Sequence, residues 1–117
     1  MDCPSLNFEA LMAEEIKRKA QFVMRLSEAY RTSVLEVEDI RYFDLDDLEL
    51  VRIRYTYGDE EFINVSADSI VCIGKEIATQ LHTGDAFGLI HDTARCQELV
   101  REKLREKWRD KWKSESE

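Results

Sequence analysis

The sequence predicts an α+β fold. A three-stranded antiparallel meander is flanked by one N-terminal and two C-terminal helices, in the order α-β-β-β-α-α, with the helices mainly covering one sheet face. Three observations carry this. Val51, Ile53, Tyr55 and Tyr57 alternate with Arg52, Arg54 and Thr56, the period of a half-buried strand. That alternation sits inside Leu48–Ser69, a stretch that reads as strand, tight turn, strand and helix start. Apolar residues at helical spacing lie before it (Phe8, Leu11, Met12, Ile16) and after it (Ile70, Ile73, Ile77, Leu81). Consecutive strands with short links pair antiparallel, and their apolar face needs a cover.

The 117 residues suit one domain, 1–117, with 1–7 as a leader and 114–117 as a frayed tail. In the first helix, from about Phe8 to Tyr30, Phe22, Val23, Leu26 and Tyr30 continue the stripe. Ser5 or Asn7 is its expected N-cap. Glu15 and Lys19 fall inside the stripe, four apart in the favourable order for a helix ion pair. They mark either where the helix crosses the sheet edge or where it meets another chain.

The first strand lies within Val34–Phe43. Leu35 and Val37 share one parity and Ile40 and Tyr42 the other, so a bulge near Glu38 and Asp39, or a later start, is required. Asp44-Leu45-Asp46-Asp47 is a turn. In the third strand Ile63 and Val65 share one face, Phe62 and Asn64 the other. With the turn at Gly58 to Glu60 or Glu61, setting Tyr55 opposite Ile63 and Ile53 opposite Val65 needs an odd loop, of three or five residues. The face carrying Arg52, Arg54, Thr56 and Asn64 reads as solvated.

Ser66 or Asp68 is the expected cap of the second helix, Gly74 and Ala78 allow close approach, and Gly84 suits its C-terminal stop. Asp85–His91 reads as a connector anchored by Phe87, Leu89 and Ile90. Asp92 caps the third helix, from about Thr93 to Lys113.

Function is less legible. The net charge is −8 with 36% charged residues, which disfavours nucleic acid and anionic membranes as partners. Cys3, Cys72 and Cys96 show no framework spacing, so reduced thiols in a cytoplasmic protein are expected. Cys72 and Cys96 read as inert core thiols. No stretch reads as a signal peptide or membrane span.

Glu36, Glu38, Asp39, Asp44, Asp46, Asp47 and Glu49 are opposed only by Arg41, and Asp59, Glu60 and Glu61 follow at the next turn. This acidic rim is a candidate partner-binding surface, either mimicking the charge of nucleic acid or solvating the turns and edge. An EF-hand is rejected, because the Gly and the ligand spacing are missing.

Thr93–Lys113 carries eight basic and four acidic residues, with Trp108 and Trp112 among Arg105 and Arg109. That helix end is the second candidate surface. Its apolar row, Cys96, Val100, Leu104, Trp108 and Trp112, steps by four and drifts roughly 40° per step, so it cannot stay on one neighbour. His82, Asp85, His91 and Asp92 lack metal-site spacing.

The expectation is a non-enzymatic binding protein without cofactor or metal, acting through protein–protein contact. Its size and acidity suit the accessory inhibitors of phages and mobile elements, anti-restriction and anti-CRISPR types among them. The partner is then another protein, in one version a basic nucleic-acid-binding enzyme, with a homodimer also open. The alternatives are a nucleic-acid binder using the third helix and a small metal-dependent enzyme.

Overall fold

A computed structural model describes residues 8–33 and 36–115, excluding the side chains of 110 and 112–115. The elements are α1 (Phe8–Ser33), β1 (Val37–Asp44), β2 (Glu49–Tyr55), β3 (Glu60–Asn64), α2 (Ile70–Thr83), β4 (Leu89–Ile90) and α3 (Thr93–Glu115). The fold is α+β, with the strands in the order β1-β2-β3-β4, every pair antiparallel.

Two expectations are corrected. The sheet has four strands rather than three, and helices cover both of its faces rather than mainly one. α1 and α2 pack on the face of Ile40, Val51, Ile53, Ile63 and Val65. On the other face Phe43, Leu50 and Phe62 meet Cys96, Val100 and Leu104 of α3. The face read as solvated is therefore a second core. Phe62 is fully buried there, worth about 2–3 kcal/mol in hydrophobic transfer. Arg52 hides this layer in the sequence, because it too is buried, at 7% exposure.

α1 buries Lys19, Val23 and Ser27 at successive steps of four, with Ile16, Leu26 and Tyr30 flanking. It continues past Tyr30 to Ser33, where the Thr32 and Ser33 hydroxyls donate to the Ala29 carbonyl and satisfy an acceptor of the last turn. The N-cap expected at Ser5 or Asn7 and the leader 1–7 lie outside the described residues, as do Val34 and Leu35.

The required bulge is present. Val37 pairs with Tyr55 and Asp39 with Arg54, so Glu38 is the extra residue. It brings Val37, Ile40 and Tyr42 into the same core. The Ser27 hydroxyl accepts from the Ile40 N–H at 2.9 Å, which satisfies an edge-strand donor.

The β2–β3 loop is odd, as parity demands, but it is Thr56–Gly58. The Tyr55 N–H donates to the Asp59 carbonyl at 2.9 Å, and Gly58 takes φ +99°. The turn thus comes earlier than expected, and Tyr57 leaves the strand. Val51 then faces Ile63, while Ile53 faces Glu61 rather than Val65. Glu60 instead sits across from Arg54, which donates to it at 3.0 Å.

Ser69, not Ser66 or Asp68, caps α2, accepting from the Cys72 N–H at 3.2 Å. Ser66 is engaged elsewhere: its hydroxyl accepts from the Glu49 N–H. Gly84, at φ +70°, stops the helix as expected.

The connector Asp85–His91 contains β4, with Leu89 in the first core and Ile90 in the second. Phe87 is no anchor, being 99% exposed. Gly88 permits the pairing: a Cβ there would stand 2.2 Å from the Asn64 carbonyl oxygen, and the Asn64 N–H donates to the Gly88 carbonyl at 2.7 Å. Asp92 caps α3 through the Arg95 N–H. α3 runs to Glu115, beyond Lys113 and into the expected frayed tail. Among the described residues, no helix is long and apolar enough to cross a membrane.

Candidate functional site

The fold divides the acidic rim into two sets. Asp39, Glu49, Glu60 and Glu61 point inward and hold the layers together. The Glu49 carboxylate accepts from Lys19 Nζ at 3.2 and 3.3 Å, from the Tyr42 hydroxyl at 2.9 Å and from the Ala67 N–H at 2.9 Å. Lys19 is only 4% exposed, and its helix partner Glu15 lies farther off at 3.9 Å. The pair read from the sequence thus becomes a tether between α1 and the start of β2. Burial, then the hydrogen bond to Glu49, pushes the Tyr42 phenol well above its ordinary range.

Asp39 accepts from the Ser27 hydroxyl at 3.3 Å and from Arg52 at 3.4 Å. Glu60 takes Arg54 at 2.9 Å, Gln97 of α3 at 2.8 Å and the Arg52 Nε at 3.6 Å. Burial pushes the Glu60 carboxyl up. The hydrogen bonds from Gln97 and Arg54, with the charges of Arg52 and Arg54, more than reverse this and hold it below its usual value. Burial lowers Arg52, whose guanidinium also lies 5.1 Å from the Phe43 ring centre. Arg41 stands 5.0 Å from the same ring. Glu61 accepts from the Tyr55 hydroxyl and, at 2.6 Å, from the Gln80 amide of α2. Burial, then the bond to Glu61, pushes the Tyr55 phenol up.

The second set faces outward. Glu36, Glu38, Asp46, Asp47 and Asp59 are exposed, and Asp44 is half-buried. Asp44 accepts from the Asp46 N–H within the turn, and Lys103 reaches Asp46 at 3.4 Å. The outward carboxylates follow β1 and its turn, with Asp59 at the opposite hairpin. Four of the ten candidates thus tie the layers together; of the other six, Asp44 and Asp46 hold the β1–β2 turn, and Glu36, Glu38, Asp47 and Asp59 are exposed.

At the other candidate surface, Cys96 and Val100 are buried, Leu104 is half-buried and Trp108 is 61% exposed. The drift expected of a row stepping by four is what carries Trp108 off the sheet. Lys111 Nζ lies 5.6 Å from the Trp108 ring centre, and Arg105 and Arg109 are exposed. The Trp112 side chain lies outside the described residues.

Sequence reasoning missed the exposure of Phe8, Leu11 and Met12. They share the helical spacing of the buried stripe, and only the position of the sheet's end tells them apart. Cys72 is exposed rather than core, whereas Cys96 is buried and burial pushes its thiol up. His82, Asp85, His91 and Asp92 are all exposed. Among the described residues, no three His, Cys, Asp or Glu side chains come together as a metal site. Comparison with known protein families, with curated proteins and with solved structures finds no match to this chain.

Proposed function

We propose that this chain is a small non-enzymatic binding module that recognises a basic protein surface through the outward carboxylates of β1 and its turn. The observation that carries this reading is the division of the rim. Buried and half-buried donors occupy Asp39, Glu49, Glu60 and Glu61, while Glu36, Glu38 and Asp47 are left to solvent along one edge and the exposed Asp46 meets only Lys103. A row of like charge on a rigid strand raises the on-rate and selects for opposite charge more than it adds affinity. A nucleic-acid-binding enzyme, whose channel is built for phosphate charge, is a fitting target class, and occupying that channel would inhibit it.

The test is affinity capture from the native host with the wild-type chain and with Glu36→Lys/Glu38→Lys/Asp47→Lys. Expected is a basic partner that elutes as salt rises past ~0.3 M, where screening shortens to a few ångströms, and that the variant does not retain. Retention unaffected by salt or by the triple reversal would sink the reading.

A further inference from the structure

The β2–β3 hairpin forms one side of an open cleft of about 680 Å³, with the C-terminal end of α2 and the start of α3 as its other walls. Small-molecule sites span ~300–1,000 Å³. Tyr55, Tyr57, Asp59 and Glu61 line the cleft, and Leu81 and Gly84 end α2 beside them. The two tyrosine rings stack, with centres 5.2 Å apart and planes 11° from parallel. Tyr55 is half-buried and anchored through its hydroxyl to Glu61. Tyr57, stacked on it, is 59% exposed. The pair is therefore a fixed aromatic platform on the cleft wall.

The charge around this platform is one-sided. Asp59, Glu60 and Glu61 line the cleft, and among the described residues no Lys, Arg or His does. Glu60 is matched from behind by Arg52 and Arg54. Glu61 is half-buried, and its two oxygens accept from neutral donors, the Tyr55 hydroxyl and the Gln80 amide. Asp59 is exposed. Partial desolvation, then the charges of Asp59, Glu36 and Glu61, raise the Tyr57 phenol above its ordinary value, so all three carboxylates act on that ring. α2 brings its negative C-terminal end to the same wall, while the positive end of α3 is capped by Asp92. Two carboxylates, Asp59 and Glu61, thus stand beside an aromatic face with their charge unmatched.

We infer that the cleft is a binding site for a guanidinium group, the end of an arginine side chain, which lies on the Tyr55–Tyr57 stack and pairs with Glu61 and Asp59. Guanidinium is planar and weakly hydrated, so it stacks on an aromatic face and still offers N–H donors in its own plane. Each Glu61 oxygen holds one bond within the chain and keeps a second lone pair for such a donor. A compact ammonium is more strongly hydrated and uses the flat face less well. A metal ion needs converging ligands, and among the described residues no three His, Cys, Asp or Glu side chains gather. The basic partner proposed above supplies the arginine, so the site's occupant rests on that reading. The two surfaces adjoin. The Thr56 N–H donates to the Glu36 carbonyl at 2.8 Å, which sets the hairpin beside the Glu36 and Glu38 end of β1. An arginine in the cleft therefore anchors a partner that the acidic edge steers.

The test titrates the full chain with Nα-acetyl-arginine amide and follows the Tyr55 and Tyr57 ring protons and the amides of residues 57–61 by NMR. Expected are saturable shifts at those positions in the millimolar range. The neutral isostere Nα-acetyl-citrulline amide gives none, and the lysine counterpart binds severalfold more weakly. Tyr57→Ala weakens the arginine probe about fivefold and Asp59→Asn about threefold, whereas Tyr57→Phe keeps the platform and the affinity. Tyr57 and Asp59 are exposed and lie outside the strands, and unchanged amide shifts in α1 and β4 report that each variant folds. Arginine shifts that are absent, that citrulline or lysine reproduces in full, or that Tyr57→Ala leaves unchanged overturn the inference. Capture from the host separates the cleft from the edge. Expected is a partner that Tyr57→Ala releases at lower salt than the wild type does. Equal retention by Tyr57→Ala overturns the assignment of the arginine to the partner and leaves the edge reading intact. Capture insensitive to salt, beside a titration that succeeds, would sink the edge reading and not the cleft.

Discussion

Cutting the tether between α1 and β2 tests the fold most directly. The Lys19 ammonium lies 3.2 Å from Glu49 and the residue is 4% exposed. At an effective dielectric of ~20, the gross attraction is ~5 kcal/mol, offset by the cost of desolvating both groups. Glu49→Gln keeps an acceptor for the Ala67 N–H and turns the other position into an amide donor, from which the Tyr42 hydroxyl oxygen can only accept. The change also leaves the ammonium buried without a counter-charge. It should cost ~3 kcal/mol. Lys19→Met keeps the packed stem and leaves Glu49 with two neutral donors and some access to water, at ~1–2 kcal/mol. The double variant Lys19→Met/Glu49→Gln removes both charges, keeps the Ala67 hydrogen bond and lets the Tyr42 hydroxyl accept from the new amide. It should cost only ~1 kcal/mol, well below the ~4–5 kcal/mol sum of the single changes. Urea unfolding followed by far-UV circular dichroism, with equal slopes for all four proteins, measures the cycle. If the double change equals the sum of the single ones to within ~0.5 kcal/mol, the tether carries no coupling and the reasoning fails.

Three further outcomes are expected. Gly88→Ala forces a Cβ against the Asn64 carbonyl oxygen and should cost ~2–3 kcal/mol, with faster amide exchange at Asn64 as the β4 pairing loosens. Ala67 holds φ +63°, so Ala67→Gly should stabilise by ~0.5–1 kcal/mol, the left-handed penalty less the extra freedom of unfolded glycine; a lower thermal midpoint would refute this. The Tyr42 and Tyr55 phenols are raised above 10.0 by burial, then by Glu49 and Glu61 respectively. The unfolded chain therefore ionises them first, and stability is whole below about pH 10 and falls as pH rises above it. Tyr42→Phe should cost ~1 kcal/mol at neutral pH and flatten the alkaline fall in thermal midpoint, and an unchanged slope would exclude Tyr42 from it.

What the sequence revealed depended on local rules. The bulge at Glu38 and the odd hairpin loop follow from face parity, since a strand cannot change sides without an extra residue. The cap at Gly84 follows from the need for a left-handed residue. β4 was not legible, because two residues show no alternation and its partner is fixed by Gly88 lying against β3. The second core was concealed by Arg52 and Arg54, whose neutralising partners come from other elements. The rim was half legible: its residues could be read off, but which carboxylates turn inward depends on Lys19, Gln80 and Gln97, all distant in sequence.

The order β1-β2-β3-β4 matches the order along the chain, and this bears on how the molecule assembles. Each strand finds its sheet partner next in sequence, so the two hairpins close over short loops and at small entropic cost. Such hairpins form in ~1–10 μs. The one long closure is β3 to β4, which spans α2. Its cost grows only as the logarithm of the loop, and α2 shortens the effective chain by folding within it. Chains dominated by near-neighbour contacts fold faster than those of equal stability that must find remote ones. The strand that is least visible in the sequence is thus also the one whose pairing has to wait for a helix.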